Sequence, residues 1–255
     1  RASFLIVILI LFLPLGSAAA ASENYVALGD SLAAGQTPYS EIDAGYTDFI
    51  AMQLMRSGQL ANFTKELAFP GYTTTDILAS IDSEQAFTLL DEATLITISA
   101  GANDLLRLVA HDPQAGTLSF SQLTADFALN QVRMNMEKLL TELKLKAPQA
   151  KVYVMGYYFP YTSVHEKQRS GTAEQLDILN EILRQQALQA GAEFVDVAKT
   201  FEAQAIGYLP NVADVHPNQN GYRIMANAFL TDYVNSDTLN MTEQMMPEPN
   251  PMSFE

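Results

Sequence analysis

Residues 94–104 read TLITISAGAND and contain the clearest buried strand of the sequence. Residues 94–99 are uncharged and rich in β-branched side chains, which favours a strand, and Gly101 ends it. Similar short apolar runs alternate along the chain with amphipathic stretches at helical spacing. The other strand candidates are residues 25–28, 63–69, 151–155 and 193–197, and the main helix candidates are residues 47–55, 75–81, 123–145, 173–190 and 220–234. This alternation predicts an α/β fold with a five-stranded parallel sheet covered by helices on both faces.

The chain is interpreted as one folded domain with a distinct segment at each end. No linker or internal repeat interrupts residues 21–235, and their length suits a single core. Residues 1–20 consist of Arg1, an uncharged apolar run and a final Ala-Ala-Ala, which is typical of a signal peptide; an uncleaved N-terminal anchor is the alternative. Both interpretations place the domain outside the cytoplasm, secreted or anchored. Residues 236–255 are acidic, contain proline and lack periodicity, which predicts a flexible tail.

The charge and the cysteine content exclude several function classes. Acidic residues outnumber basic ones by 29 to 14, for a net charge of −15, so the surface repels phosphate backbones and nucleic acid is not an expected partner. The chain has no cysteine, which excludes disulfides, thiolate metal sites and a cysteine nucleophile. Its three histidines are scattered, so no metal-ligand cluster of ordinary spacing exists.

Three polar or glycine positions follow predicted strands directly. Ser31 ends Gly-Asp-Ser after the first strand, Gly71 follows the second, and Asn103 lies in Gly-Ala-Asn-Asp after the third. The carboxyl ends of parallel strands meet at one edge of a sheet, so these residues are expected to lie close together. Each also has an ordinary structural alternative: a helix N-cap for the serine, a turn for the glycine, and an Asx turn for the asparagine.

His216 completes a set of residues suited to nucleophilic catalysis. It has a neighbouring carboxylate, Asp214, and lies just before the last predicted helix, whereas His111 and His165 lie in polar stretches and are interpreted as solvated. A serine hydroxyl needs a base to accept its proton, and histidine is the base suited to neutral pH. The imidazole needs a partner that fixes its tautomer, and Asp214 is the nearest candidate. The Ser31 and Gly71 N–H groups and the Asn103 amide are donors of the kind that stabilise an oxyanion.

These segments resemble the sequence blocks of the SGNH (GDSL) hydrolases. GDS, the glycine in PGYTTTD, GAND and DVHPNQNGY occur in the order and with the wide spacing of blocks I, II, III and V of that family. No single block is specific, but the ordered set of four is, and it spans about residues 24–234.

The resemblance implies a flavodoxin-like three-layer α/β/α sandwich without metal or organic cofactor, and ester hydrolysis through an acyl-serine intermediate. Carried over by position, Ser31 is the nucleophile and His216 the general base, while the Ser31 N–H, Gly71 and Asn103 form the oxyanion hole. In the family the aspartate usually stands three residues before the histidine, whereas here position 213 is alanine and Asp214 stands two before it. Asp214 is the expected orienting carboxylate; a backbone carbonyl that leaves a Ser–His dyad is the alternative.

Apolar side chains follow the strand ends and predict a wall for an acyl group. The expected substrate-binding residues are Leu105, Tyr157, Phe159 and Tyr208. The YYFP stretch and the overall layout look most similar to the lipase/acylhydrolase branch found in Gram-positive bacteria. That similarity implies a carboxylesterase or lipase whose partner is a small-molecule or lipid ester, with transient contact with a lipid surface and no obligate protein partner.

Other functions remain open at this point. The same scaffold could carry a carbohydrate acetylesterase or a thioesterase. A non-catalytic secreted binding module is the alternative outside enzymes, although the chain lacks the glycine-rich motifs that bind nucleotides.

Overall fold

The structure is a computed structural model that describes residues 22–202 and 204–250. The expectations for residues 1–20 and 251–255 therefore lie outside the described residues. The strands are β1 (Glu23–Gly29), β2 (Leu60–Ala68), β3 (Leu95–Ser99), β4 (Ala110–Asp112), β5 (Thr117–Ser119), β6 (Lys151–Met155) and β7 (Glu193–Val195). The helices are α1 (Ser31–Ala34), α2 (Tyr46–Arg56), α3 (Thr74–Ser80), α4 (Glu84–Asp91), α5 (Ala102–Leu106), α6 (Gln122–Lys146), α7 (Glu166–Ala190), α8 (Ala198–Glu202), α9 (Ala205–Tyr208) and α10 (Gln219–Val234).

Five of the strands form one parallel sheet in the spatial order β2-β1-β3-β6-β7. Every residue of β3 is buried, because β3 lies at the centre of the sheet and helices cover both of its faces. Helices α2 and α10 pack against each other, while α3, α4, α5 and α7 contact α6. The predicted α/β fold with a parallel sheet in a three-layer arrangement is confirmed.

The two longest helices lie side by side in the second helical group. Helices α6 and α7 each have 25 residues and contact each other, burying an apolar stripe that includes Leu139 and Leu183. Their other faces carry charged residues, as an amphipathic surface helix requires. Among the helices within residues 22–202 and 204–250, none combines the length and the apolar character that crossing a bilayer demands.

The ends of β1 and β3 approach each other very closely at Gly29. The Gly29 backbone has φ +138°, and a Cβ atom at this position would lie 2.2 Å from the backbone oxygen of Ser99. The same oxygen accepts a hydrogen bond from the Asp30 N–H at 3.0 Å. Only glycine fits this contact, and the contact fixes where the chain turns from β1 into α1.

Some elements differ from their sequence-based expectations. Helix α7 begins at Glu166, seven residues before the predicted start at 173. Its first two turns are polar and contain Gly171, so they lack the regularly spaced apolar residues from which a helix is predicted. The hairpin of β4 and β5 and the helix α4 were not predicted, since such short elements give too few periodic positions. His111 was interpreted as solvated, but it lies in that hairpin, partly buried, with its ring 4.8 Å from that of Tyr161.

The segment after α10 packs against the domain as far as Asn250, which differs from the expected flexible tail. Met241 is fully buried, and its backbone N–H donates to the Asn227 side chain at 2.7 Å. The Arg56 guanidinium donates to the carbonyl of Met245 at 2.9 Å. Such anchoring by isolated methionines and by side chains of distant helices leaves no periodic signal in the sequence.

We expect Gly29→Ala to destabilise the fold far more than Gly58→Ala. At Gly29 the new Cβ meets backbone, so the strand ends must separate, at a cost of at least about 3 kcal/mol. Gly58 also has a positive φ, +71°, but a Cβ there meets nothing within 4 Å. Gly58→Ala should therefore lower the free energy of unfolding by only roughly 1–2 kcal/mol, the cost of a left-handed backbone for a residue with a Cβ atom. Urea unfolding of both variants measures the difference, and equal losses would contradict the steric argument.

Candidate active site

Ser31 and His216 meet at the carboxyl edge of the sheet. Ser31 is the first residue of α1, directly after β1, and the Asp30 carboxylate caps this helix by accepting the Leu32 N–H at 3.0 Å. His216 lies just before α10, whose N-terminus is capped by the Asn218 side chain. The Nε2 atom of His216 is 2.7 Å from Ser31 Oγ, and both residues are buried. This is the distance at which an imidazole can accept the proton of a hydroxyl.

Asp214 orients the imidazole despite the shortened spacing. One of its carboxylate oxygens, Oδ1, accepts the backbone N–H of His216 at 2.8 Å and lies 2.7 Å from Nδ1 of the same residue. The backbone contact closes a tight Asx turn, and this turn lets an aspartate two positions away reach the ring. A proton on Nδ1 then faces the carboxylate, which leaves the Nε2 lone pair for the Ser31 hydroxyl.

Two of the three expected oxyanion donors are adjacent to this pair. The first-turn N–H of Ser31 has no acceptor among the described residues. Asn103 lines the same cavity as Ser31 and His216, and its Nδ2 donates one hydrogen to the Tyr72 carbonyl at 2.9 Å, which leaves the other available. Gly71, next to Tyr72, is exposed and does not line the cavity.

The loop that carries Gly71 is tied to α5 by polar side chains that the sequence analysis did not single out. The Asp104 carboxylate accepts the N–H of Thr74 at 2.9 Å and its hydroxyl at 2.8 Å, and burial raises the pKa of this carboxyl. Arg107 donates to the Gly71 carbonyl at 2.7 Å. These contacts join the ends of β2 and β3, and therefore the two loops that hold Gly71 and Asn103. The only signal in the sequence is that Asp104 directly follows Asn103.

An apolar chamber opens from Ser31 and runs between α5, α6 and α7. Leu105 and Phe159 line it as expected, together with Leu106, Leu108, Leu176 and Leu179. Few polar atoms face this space, so it suits an alkyl group better than a sugar.

Tyr208 does not line this chamber, and its expected role in substrate binding is wrong in this respect. Its ring packs edge-on against Phe201 at 5.2 Å, and its hydroxyl donates to Gln204. The single turn of α9 directs the ring toward α8 and α10 instead of toward Ser31, an orientation that spacing along the chain does not predict.

Tyr157 borders the chamber, but its hydroxyl is directed to Asp30, the residue before Ser31. It donates to Asp30 Oδ2 at 2.6 Å. Burial raises the pKa of Asp30 to about 6, while the hydrogen bonds from Tyr157, Leu32 and Ala33 and the charge of His216 act in the opposite direction. Tyr157, expected in the substrate wall, thus also bonds to Asp30, for which the sequence pattern predicts no role.

Comparisons with known proteins identify the family of the chain and its fold. The model of the GDSL-like lipase/acylhydrolase family matches residues 27–224. Among solved structures, the lipase Lip_vut3 from a goat rumen metagenome is 20% identical with a TM-score of 0.68, covering 81% of this chain and 95% of that one. A mutant of Axe2, an acetyl-xylooligosaccharide esterase from Geobacillus stearothermophilus, is 18% identical with a TM-score of 0.62, covering 88% and 97%.

A third solved structure is that of an extracellular lipase from Streptomyces rimosus. It is 22% identical, with a TM-score of 0.60, and the match covers 81% of this chain and 98% of that one. At these identities the likeness concerns the fold alone. No curated protein matches the sequence.

Proposed function

The chain belongs to the GDSL-like lipase/acylhydrolase family and is an ester hydrolase, and from that premise we propose that it is a carboxylesterase or lipase acting through an acyl-Ser31 intermediate. The observation that carries this proposal is the hydrogen-bonded chain from Asp214 through His216 to Ser31, with 2.7 Å at each of its two contacts. A buried serine hydroxyl beside an oriented imidazole is the arrangement required for nucleophilic attack on a carbonyl.

The proposed reaction has two halves. Ser31 Oγ attacks the ester carbonyl while His216 Nε2 accepts the hydroxyl proton, and the Ser31 N–H and the Asn103 amide, the two donors beside this pair, stabilise the oxyanion. The C–O bond to the alcohol then breaks as His216 returns the proton to the leaving oxygen. In the second half a water molecule, deprotonated by His216, attacks the carbonyl of the acyl-serine. The bond between this carbonyl carbon and Ser31 Oγ then breaks, His216 returns the proton to Oγ, and the carboxylic acid leaves. Asp214 stabilises the imidazolium that forms in each half.

The apolar chamber supports an acyl group longer than acetate as the preferred substrate. Leu105, Leu176 and Phe159 offer aliphatic and aromatic surface next to Ser31. Each methylene buried there would contribute about 0.8 kcal/mol of binding energy. An acetyl group would leave most of this surface without contact.

A fluorophosphonate probe should label Ser31 and no other residue. We expect Ser31→Ala to abolish labelling and to lower kcat/KM on p-nitrophenyl butyrate by about 10⁴- to 10⁶-fold, with the circular dichroism spectrum retained. Asp214→Asn should lower it by about 10²- to 10⁴-fold, because the imidazole loses its orienting charge. The exposed Ser57 provides the control, since Ser57→Ala should label as the wild type does. Mass mapping of the adduct to another residue would refute the assignment.

The acyl preference can be tested by filling the chamber. Leu176→Trp should lower kcat/KM for p-nitrophenyl octanoate by about tenfold or more while changing that for the acetate by less than about threefold. Leu188→Trp places the same indole at an exposed position of the same helix and should change neither. Activity of the wild type on acetyl-xylan but not on p-nitrophenyl octanoate or palmitate would replace the lipase proposal with that of a carbohydrate acetylesterase.

We also propose that residues 1–20 direct the domain out of the cytoplasm. Their basic start, apolar run and Ala-Ala-Ala end support a signal peptide. Expression of the full chain in a bacterial host should yield protein in the medium whose N-terminal sequence begins near residue 21. Retention in the membrane with residues 1–20 intact would favour the anchor instead, and retention in the cytosol would refute both.

A further inference from the structure

We propose that Tyr157 is a positioning residue for the acyl-transfer reaction. Through its contacts with Asp30 and Ala102, it holds the turn that carries Ser31 next to the helix that carries Asn103. Its hydrogen bond also favours the ionised form of Asp30, close to His216. This inference rests on the roles proposed above for Ser31, His216 and Asn103. It assigns Tyr157 a function other than contact with the substrate.

The Tyr157 hydroxyl joins two loops that contribute oxyanion donors. It donates to Asp30 Oδ2 at 2.6 Å. The backbone N–H of Ala102 also acts on the phenol, lowering its pKa against the larger opposite effect of burial. Asp30 immediately precedes Ser31, and Ala102 immediately precedes Asn103. The phenol therefore holds the turn after β1 through Asp30 and lies beside the start of the helix after β3. An oxyanion hole depends on the separation between these two elements, because its donors must converge on a single oxygen.

Tyr157 is itself held at its backbone by a side chain of α7. The Asn180 carboxamide accepts the Tyr157 N–H at 2.8 Å and donates to the Tyr157 carbonyl at 2.8 Å. Both backbone polar groups are thus satisfied by one side chain. The ring is also buried, so the phenol has little freedom to move away from Asp30.

Asp30 is a buried carboxylate that the proposed reaction does not use directly. Its Oδ1 caps α1 at Leu32, and only 2% of the residue is exposed. The titratable groups coupled to it are His216 and four buried phenols, those of Tyr46, Tyr157, Tyr158 and Tyr222. Only His216 among these can carry a positive charge, so an ionised Asp30 acts electrostatically on the imidazole.

The hydrogen bond from Tyr157 is the largest influence that opposes the effect of burial on Asp30. With it, the pKa of Asp30 is about 6, and the carboxylate is ionised at neutral pH. Its negative charge then helps to stabilise the imidazolium that forms at His216 during catalysis. As the pH falls through about 6, Asp30 becomes protonated and this stabilisation is lost. Removal of the Tyr157 hydroxyl favours the protonated form of Asp30. The stabilisation of the imidazolium should therefore begin to be lost at a higher pH than in the wild type.

Tyr157→Phe tests the inference through kcat and its pH profile on p-nitrophenyl butyrate. We expect kcat to fall by about 10- to 100-fold with KM nearly unchanged, since the acyl surface remains while the donors lose their register. The acidic limb of the kcat profile should move about 1 pH unit toward higher pH, because a hydrogen bond to a charged group is lost. Tyr25→Phe is the matched control. It removes an equally buried phenol that bonds to Thr97 and should leave kcat and the limb as in the wild type.

Asp30→Asn tests the same link with the phenol in place. Asp30→Asn has no carboxylate to titrate at this position, so the acidic limb of its kcat–pH profile should be shallower than that of the wild type. Adding Tyr157→Phe to Asp30→Asn should then move the limb by less than about a third of the shift that Tyr157→Phe causes in the wild type. The inference is overturned if either single variant has the same acidic limb as the wild type. It is also overturned if Tyr157→Phe moves the limb as far in the Asp30→Asn background as it does in the wild type. If Tyr157→Phe does not fold, the acidic limb of Asp30→Asn decides whether the inference stands: a shallower limb supports it and a wild-type limb overturns it.

The failure of this inference is distinguishable from failure of the proposed function. Fluorophosphonate labelling at Ser31 with an unmoved acidic limb rejects the positioning role and leaves the nucleophile assigned. Labelling at another residue rejects the proposed function, and the inference with it.

Discussion

The contact between Gly29 and the backbone of Ser99 is the constraint from which the site is built. Because no side chain separates the ends of β1 and β3, the Asp30 N–H reaches the Ser99 oxygen and α1 starts at a fixed point beside the central strand. Ser31 then projects over the sheet edge with its own N–H unpaired, and the helix that carries Asn103 begins three residues after Ser99. Backbone packing thereby places the proposed nucleophile, Ser31, and the start of the helix that carries Asn103.

Buried and partly buried hydrogen bonds join the loops that this constraint brings together. Tyr157 connects the end of β1 to the start of α5, and Asp104 connects α5 to α3. His216, which Asp214 contacts within the loop before α10, connects that loop to Ser31 at the end of β1. Buried polar groups of this kind are costly unless they are fully paired, so each pairing restricts the others. The resulting rigidity is what an ester hydrolase needs in order to present several donors to one oxygen.

The sequence predicts the sheet and the residues at its edge better than the contacts below that edge. Strand β6 occurs exactly over the predicted residues 151–155, since a compact apolar run between turn residues leaves little ambiguity. The roles of Asp30 and Tyr157 could not be predicted, because their pairing depends on the approach of residues 127 positions apart. The position of the Tyr208 ring could not be predicted either. An aromatic residue near the strand ends suggests a place in the substrate wall, but the single turn of α9 directs the ring toward Phe201.

The distance along the chain between Ser31 and His216 has a consequence for biosynthesis. The two residues are 185 positions apart, and the imidazole lies just before α10, a helix that packs against α2. A nascent chain therefore carries its serine long before it has a base, and no N-terminal fragment can hydrolyse esters by the proposed route. By that route, activity requires that synthesis has passed His216 and that the loop before α10 has reached the end of β1.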